Sequence, residues 1–241
     1  MATPTAAAAA ATTALSKLCQ CNLGLLSQKL SLMQAMTVKH GATSAKEFFQ
    51  TPCKIVGASV GQHFRHSLDH MEYAAKIAAY ASNARNAGQE ANPQSLELHY
   101  DLRTRGCVSE HDMDAAAERI FGVIHSLEIL SIRQEEHAQD TVEETNTSVL
   151  QFQLCDTNHT PPLQLHPAQA YFMLAGDSDQ EYALHTSIGR ELGFAAHHAI
   201  HHLAMVKIIA IQSCGLTAEE LPEGFGKAPS TIRFDVSKGE E

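Results

Sequence analysis

The sequence predicts an all-α fold built from four long helices, and three observations support this. In four segments the apolar residues recur every three or four positions, as they do on one face of a helix. Apolar residues make up 44% of the 241 residues, whereas aromatic residues make up 6% and Trp is absent. This composition favours helices packed through small and aliphatic side chains over a β-sandwich. The connectors between the segments are short, which is typical of a four-helix bundle.

The first two helices are predicted from their apolar spacing and their ends. The first covers residues 14–38 and is followed by a connector over 41–57 with one helical turn. The second begins after Ser59, a suitable N-cap residue, and runs to about Asn86. The polar linker that follows leads into residues 96–108, which we expect to be extended or irregular.

The second half of the sequence predicts two further helices separated by an insertion. The third helix covers about 110–138, and the fourth runs from about 181 to 213 and stops before Gly215. Between them, residues 140–180 alternate in polarity or contain prolines, so we expect short strands and loops there. The tail over 222–241 is rich in Pro and Gly and is expected to be coil.

The predicted domain organisation is a single helical domain over residues 14–235, between a disordered tail at 1–13 and a flexible tail at 236–241. No apolar run reaches the ~18–20 residues that span a bilayer, so no membrane segment is expected. The six cysteines form no CxxC pair, which favours a reducing compartment, the cytoplasm. Organellar targeting by the Ala- and Thr-rich N-terminal tail is the alternative. A net charge of -10 disfavours binding to nucleic acid.

Two histidine clusters are the strongest functional signal. The segment 63–70 contains three histidines and the segment 197–202 contains four, so the two hold seven of the fifteen in the chain. Imidazole is the commonest protein ligand of transition metals. We therefore expect two helices to supply the ligands of one divalent ion. Zn, Ni, Fe or Mn would suit such a site. The competing interpretation is a metal-free scaffold whose histidines border the core.

Helical geometry indicates which histidines face the core. On the fourth helix, with Ile188 at zero, His202 lies near -40° and His198 near -80°, whereas His201 lies near -140° and His197, near 180°, points away. On the second helix, with Val60 at zero, His63 lies near -60°, His70 near -80° and His66 near -120°. His198 and His202 are the predicted ligand pair. This reasoning leaves His63 and His70 as nearly equal candidates for the third ligand.

Four pieces of the sequence resemble the DinB-like (DinB/YfiT) superfamily of metal-dependent proteins. They are residues 59–70, 100–106, 187–202 and 224–233, in the order expected. The resemblance as a whole covers about residues 14–235. The resemblance implies a four-helix bundle with an up-down-down-up arrangement and a metal held by His63, His198 and His202. It also implies a low-molecular-weight thiol as cofactor or substrate, since better understood branches are thiol-dependent. The insertion at 140–180 departs from the simple members.

Other residues are expected to support the site. The candidates that would orient the ligands are His66, His70, His201 and Glu191. Arg103 and Arg105 are candidates for binding an anion, although a structural network with Asp101 is the simpler interpretation. A small-molecule substrate or thiol is the expected partner, and a homodimer is possible for an exposed bundle face.

Together these observations give a functional hypothesis with two alternatives. The first is a divalent-metal-binding DinB-like enzyme, a thiol S-transferase or isomerase acting on a small molecule. The second is a non-catalytic metal-binding or stress-response protein, in which the ion stabilises the fold. The third is the metal-free helical scaffold.

Overall fold

The computed structural model describes residues 14–102, 106–145, 163–174 and 177–239, with the backbone alone at 134–145, 174 and 177–179. About 70% of the described residues are helical, and a small three-stranded sheet accompanies them. The helices are α1 (Ala14–Gln50), α2 (Val60–Asn86), α3 (Val108–His111), α4 (Met113–Thr145), α5 (Ile188–Gln212) and α6 (Pro229–Gly239). The strands are β1 (Glu97–His99), β2 (Pro167–Leu174) and β3 (Asp177–Ser187).

The four long helices α1, α2, α4 and α5 pack against one another and enclose the core. The largest contacts join α1 to α4 and α2 to α5, and α1 also packs on α5 and α2 on α4. The predominance of long helices confirms the coarse prediction from apolar spacing. The strands expected between the third and fourth helices are present as β2, and the sheet extends beyond the predicted insertion to β1 and to the end of β3.

The first helix is longer than predicted. Gly41 has φ 77° and ψ 161°, so α1 kinks there and a second helical segment continues to Gln50. Glycine adopts positive φ without the clash that a Cβ would create, which is why the chain can turn sharply at this point. The predicted end of the helix near residue 40 therefore corresponds to the kink.

The start of α2 follows the sequence closely. The Ser59 side chain accepts a hydrogen bond from the Gln62 amide, and the Gln62 side chain accepts one from the Ser59 amide. This reciprocal capping box satisfies two backbone N–H groups that a helix start otherwise leaves unpaired. The predicted span of the second helix, from Ser59 to Asn86, is confirmed.

Salt bridges tie α2 to its neighbours beneath the surface. The Asp69 carboxylate accepts hydrogen bonds from Arg65 at 2.8 Å and from Arg119 of α4 at 2.7 Å. Arg65 also pairs with Glu110 of α3 at 2.8 Å. Because these charges are largely buried, each depends on its partner, and the pairing fixes how α2 sits against α3 and α4.

The sheet corrects two sequence predictions. β1 pairs parallel with β2, and β2 pairs antiparallel with β3. Residues 181–187, predicted as the first two turns of the fourth helix, belong to β3, and α5 begins at Ile188. Residues 141–145, predicted as strand, belong to α4. Polarity alternation over so few residues does not separate strand from helix. For residues 181–187, pairing with β2 makes the segment a strand.

The C-terminal region also differs from prediction, since α6 occupies Pro229–Gly239 where coil was expected. Proline is well tolerated at the first position of a helix, so its presence marks the start of α6 and does not prevent the helix. The predicted flexible tail at 236–241 thus begins inside α6. The predicted tail at 1–13 and most of the insertion, residues 146–162, lie outside the described residues.

Among the described residues, α5 is long and apolar enough to cross a membrane by length and composition alone. This is weak evidence for insertion, because a helix in the core of a globular protein passes the same test. α5 packs against α1 and α2, and its inner face is buried. Its apolar composition is accounted for by that packing.

Candidate functional site

Histidines from α2 and α5 meet where the two helices pack. His66 lies on α2, and His198 and His202 lie one turn apart on α5, so they stack on one face of that helix. Ser187 caps the start of α5 by accepting a hydrogen bond from the Arg190 amide. This fixed start, together with the buried stripe of α5, sets the rotation that turns His198 and His202 towards α2.

Three ring nitrogens converge at this interface. The Nε2 atom of His198 lies 3.1 Å from Nε2 of His66 and 3.1 Å from Nε2 of His202. One ligand atom from each of the three residues lies within 4.8 Å of the others. His202 is buried, whereas His66 and His198 are partly exposed. The group therefore reaches the surface through His66 and His198 only in part.

The geometry around His198 does not suit hydrogen bonding alone. A ring nitrogen carries either one hydrogen or one in-plane lone pair, so Nε2 of His198 cannot donate to one neighbour while accepting from the other. Three nitrogens that all present lone pairs to a common point would suit a cation. For tetrahedral coordination with metal–nitrogen bonds of about 2.0–2.1 Å, the nitrogens would be about 3.3 Å apart. The two spacings at His198, 3.1 Å each, are close to this value.

His63, the predicted α2 ligand, lies next to the group. Its Nδ1 atom is 2.7 Å from Nδ1 of His202. Its Nε2 atom is buried and has no hydrogen-bond partner among the described residues. The structure therefore brings His66 into the three-nitrogen group and places His63 behind His202. His63 as a direct ligand stays a prediction that requires a bound ion to test.

Burial keeps two of the imidazoles neutral. Burial, followed by the neighbouring His198, His66 and His63, lowers the pKa of His202 to about 2. Burial also lowers the pKa of His63, followed by the effects of His201 and Lys29. Neutral imidazole is the form that binds a metal. At neutral pH His202 and His63 are thus in the protonation state that coordination needs.

A buried lysine lies beneath the cluster, and the sequence analysis missed it. The Lys29 ammonium donates to the Ser67 hydroxyl and lies 4.6 Å from the centre of the Phe64 ring. Burial lowers its pKa to about 7, with a further contribution from Arg119. Its spacing from Leu25, Leu26, Leu32 and Met33 placed it on the apolar stripe of α1, so a signal was present.

Aromatic rings form a wall beside the histidines. The His70 ring stacks on Tyr100 at 4.5 Å and 19°, and its centre lies 4.1 Å from that of His198. Phe194 packs 5.7 Å from both Tyr100 and His198. Phe172 of β2 is the next ring, with its centre 5.3 Å from that of Tyr100. His70 thus lies beside His198, and its predicted role in orienting the ligands stays a prediction.

Glu191 supports this wall from behind. It is fully buried and accepts hydrogen bonds from the Tyr100 hydroxyl, from Thr186 at 2.6 Å and from Arg190 at 2.7 Å. Burial, followed by the charge of Glu191, raises the pKa of Tyr100, so its hydroxyl stays protonated and donates. Glu191 was predicted to orient an imidazole directly. It instead holds Tyr100, which stacks on His70.

The remaining predicted residues lie at the edge or beyond. The His201 ring is exposed and meets His202 edge-on at 5.3 Å. His197 is exposed on the outer face of α5, as helical geometry predicted. Arg103 and Arg105, the anion-binding candidates, lie outside the described residues.

The chain is similar to a protein from a fungus. It is 37% identical over 136 residues to FK506-binding protein 5 of Rhizopus delemar, a match that covers 56% of this chain and 27% of that relative. The chain therefore corresponds to about a quarter of the relative's length. No protein-family model matches the chain, and no solved structure matches it.

This similarity contradicts the functional hypothesis drawn from the sequence. The thiol S-transferase or isomerase of DinB type is not supported, nor is its alternative, the non-catalytic metal-binding or stress-response protein, because the relative is named for binding FK506. The physical reason for the error is that histidine spacing predicts which imidazoles meet and not which reaction they serve. The thiol came from the family resemblance alone.

Proposed function

We propose that this chain has a peptidyl-prolyl isomerase-like function and binds the ligand for which its relative is named. The single observation that carries this proposal is the 37% identity over 136 residues to FK506-binding protein 5. The match spans 27% of that protein, so the proposal concerns only this chain and is tested with this chain alone.

The aromatic wall beside the histidines supports the proposal. Phe172 and Phe194 are partly exposed and offer ring surface that suits the apolar ring of a prolyl residue, and the buried Tyr100 packs against both. Isomerisation of an X–Pro bond breaks no covalent bond and requires only that the amide leave planarity. A planar amide is more polar than a twisted one, so an apolar surface that removes water from it favours the twisted state.

The experiment measures cis–trans exchange of an X–Pro peptide by NMR, with purified full-length chain and with FK506. We expect exchange faster than the uncatalysed rate, inhibition by FK506, and loss of both effects in Phe194→Ala. Phe234→Ala, which removes an exposed ring of α6, is the matched control and is expected to retain activity. Unchanged exchange together with no FK506 binding would overturn the proposal.

We also propose that the histidine group binds one divalent transition ion, Zn, Ni, Fe or Mn. The convergence of His66, His198 and His202 supports this. The 2.7 Å contact between the Nδ1 atoms of His202 and His63 also supports it, because it gives the Nδ1 hydrogen of His202 an acceptor. A ligand imidazole whose second nitrogen donates a hydrogen bond is held in one tautomer and one orientation. A bound ion with a free coordination position would supply Lewis acidity to a carbonyl oxygen nearby.

For the fold, we propose that the four long helices form a bundle of the DinB/YfiT type, up-down-down-up, with the strands as an addition. The four resembling segments of the sequence and the pairing of α1 with α4 and of α2 with α5 support this arrangement. An experimental structure tests it through the order and direction of the helices. We propose a cytoplasmic location on the basis of the unpaired cysteines, and microscopy of a tagged chain tests it.

A further inference from the structure

Two buried thiols lie where the turn after α1 meets the end of α5. Cys53 is 2% exposed, and Cys214 is fully buried. Ser213, which directly precedes Cys214 in the chain, makes a side-chain hydrogen bond to the Cys53 thiol. The charge of Cys53 in turn acts on the Cys214 thiol. A hydrogen bond to one residue and an electrostatic effect on the next bring the two thiols together in one small cluster.

The Cys53 sulfur is surrounded by hydrogen-bond donors. The Ser213 hydroxyl and the backbone amides of Val56 and Ile55 donate to it. These donors, the Ser213 hydroxyl first and the Val56 amide second, hold the pKa of the Cys53 thiol below its ordinary value, although burial opposes them. Consecutive amides directed at one atom form a nest that binds an anion. The thiolate, the nucleophilic form of cysteine, is therefore favoured at Cys53.

The surroundings of Cys214 have the opposite effect. Burial, followed by the charge of Cys53, raises the pKa of Cys214 to about 11. Burial likewise raises the pKa of Cys19, on α1, to about 12. The cluster thus pairs an activated thiol with a protonated thiol that can react only after the first has done so. An activated thiol beside a second, resolving thiol is the arrangement found in redox-sensitive proteins.

The turn that covers Cys53 is only one residue deep. Its amide donates to the Ala58 carbonyl at 3.0 Å, and its carbonyl accepts from the Gly57 amide at 2.7 Å. The neighbouring residues in the turn are exposed, namely Thr51, Pro52, Lys54, Ile55 and Gly57. Surface turns held by few contacts open at a far lower free energy than the whole fold. A small oxidant can therefore reach the Cys53 sulfur without global unfolding.

We propose that Cys53 and Cys214 form a reversible disulfide in response to hydrogen peroxide. The Cys53 thiolate attacks one peroxide oxygen and the O–O bond breaks, which gives a sulfenic acid and a hydroxide that takes up a proton to become water. The sulfur of Cys214 then attacks the sulfur of Cys53. The S–S bond forms as the S–O bond breaks, and the departing hydroxide takes the Cys214 proton. Two thiols and one peroxide thus give one disulfide and two waters.

The disulfide would join the turn after α1 covalently to the end of α5. Such a bond is transient in a reducing compartment, where a dithiol reductant restores both thiols by exchange. The end of α5 at Gln212 lies about 15 Å along the helix axis from His202. The proposal therefore depends neither on the histidine group nor on the proposed function.

Peptide mapping by mass spectrometry of the full-length chain tests this proposal. The reduced, chelator-treated protein is exposed to hydrogen peroxide at neutral pH, and the remaining thiols are blocked with N-ethylmaleimide before digestion. We expect a linked peptide pair that contains Cys53 and Cys214 and that dithiothreitol separates. Cys214→Ser should leave Cys53 as a sulfenic acid that dimedone traps, and Cys53→Ser should leave Cys214 reduced.

Two further variants test the role of the surroundings. Ser213→Ala should slow the oxidation of Cys53 by about 3–10-fold, because it removes a hydrogen bond that stabilises the thiolate. Cys21→Ser removes an exposed cysteine of α1 and should leave the rate unchanged. Mapping of the wild-type chain needs no variant, so the test stands even if replacing a buried cysteine unfolds the protein. A wild-type chain in which Cys53 stays reduced while Cys21 is oxidised overturns the proposal, as does a Cys53 that links to a cysteine other than Cys214.

Discussion

The Nε2 atoms of His66 and His198 lie 3.1 Å apart, although 132 residues separate the two histidines in the chain. The contact exists because α2 and α5 pack side by side with these residues at the same height. His198 meets His202 through the same nitrogen, so one atom is shared between two close contacts. Both contacts use the same nitrogen, which carries one hydrogen or one lone pair, and the three histidines could hold a metal ion.

Replacement of His66 tests whether this group binds a metal. We expect His66→Ala to lower the affinity for Zn²⁺ by more than about 100-fold, because loss of a ligand exceeds the 10–100-fold cost of losing a residue that only orients one. Elemental analysis of untagged protein and a chelator competition titration measure this. His197→Ala removes an exposed histidine of α5 and is expected to bind one equivalent like the wild-type chain. Equal affinity in His66→Ala and His197→Ala would rule out His66 as a ligand.

Replacement of His63 separates its two assigned roles. If His63 orients His202 through the 2.7 Å contact, His63→Ala retains the ion with an affinity lowered by about 10–100-fold. The visible spectrum of the Co²⁺-loaded protein should then keep its band positions, because the coordinating atoms are unchanged. A spectrum that shifts to a different coordination number in His63→Ala, and not in His66→Ala, would instead identify His63 as the ligand.

Lys29 makes the stability of the protein depend on pH. Burial lowers its pKa from 10.5 to about 7, so between these values the unfolded chain holds a proton that the folded chain lacks. The free energy of unfolding therefore rises with pH across this window. We expect Lys29→Met to raise the free energy of unfolding by on the order of a few kcal/mol at pH 6, and we expect this increase to shrink towards pH 10.

Urea denaturation with chelator present, at several pH values, measures this difference. Lys17→Met changes an exposed lysine of the same helix and should leave the pH dependence as in the wild-type chain. If Lys29→Met is less stable than the wild-type chain at pH 6, the hydrogen bond to Ser67 and the contact with Phe64 outweigh the cost of burying the charge.

Two helical glycines should respond oppositely to alanine. A Cβ at Gly61 would lie 2.1 Å from the Glu110 carbonyl oxygen and 2.7 Å from the Phe49 ring, so Gly61→Ala should destabilise the fold by about 1–3 kcal/mol. A Cβ at Gly24 would meet no atom within 4 Å, and Gly24→Ala should stabilise α1 by up to about 1 kcal/mol. Thermal unfolding of both variants measures the contrast. Equal shifts of Tm would mean that α2 and α3 do not approach this closely.

Much of the fold could be predicted because its signals are local. Ser59, with Gln62 three residues later, marks the start of α2, and the apolar spacing of α5 turns His198 and His202 inward. Residues 181–187 show where local signals fail. Their polarity fits both helix and strand, and only pairing with β2, a contact between distant segments, makes them a strand.

The sequence by itself determined the long helices, the Ser59 cap of α2 and the inward pair on α5, because these depend on residues within a few positions of one another. Only the tertiary structure decided which α2 histidine meets that pair. His63 and His66 differ by one turn, and the relative rotation and height of α2 and α5 bring His66 to His198 while His63 contacts His202. That rotation comes from the packing of the whole core, so no local pattern encodes it.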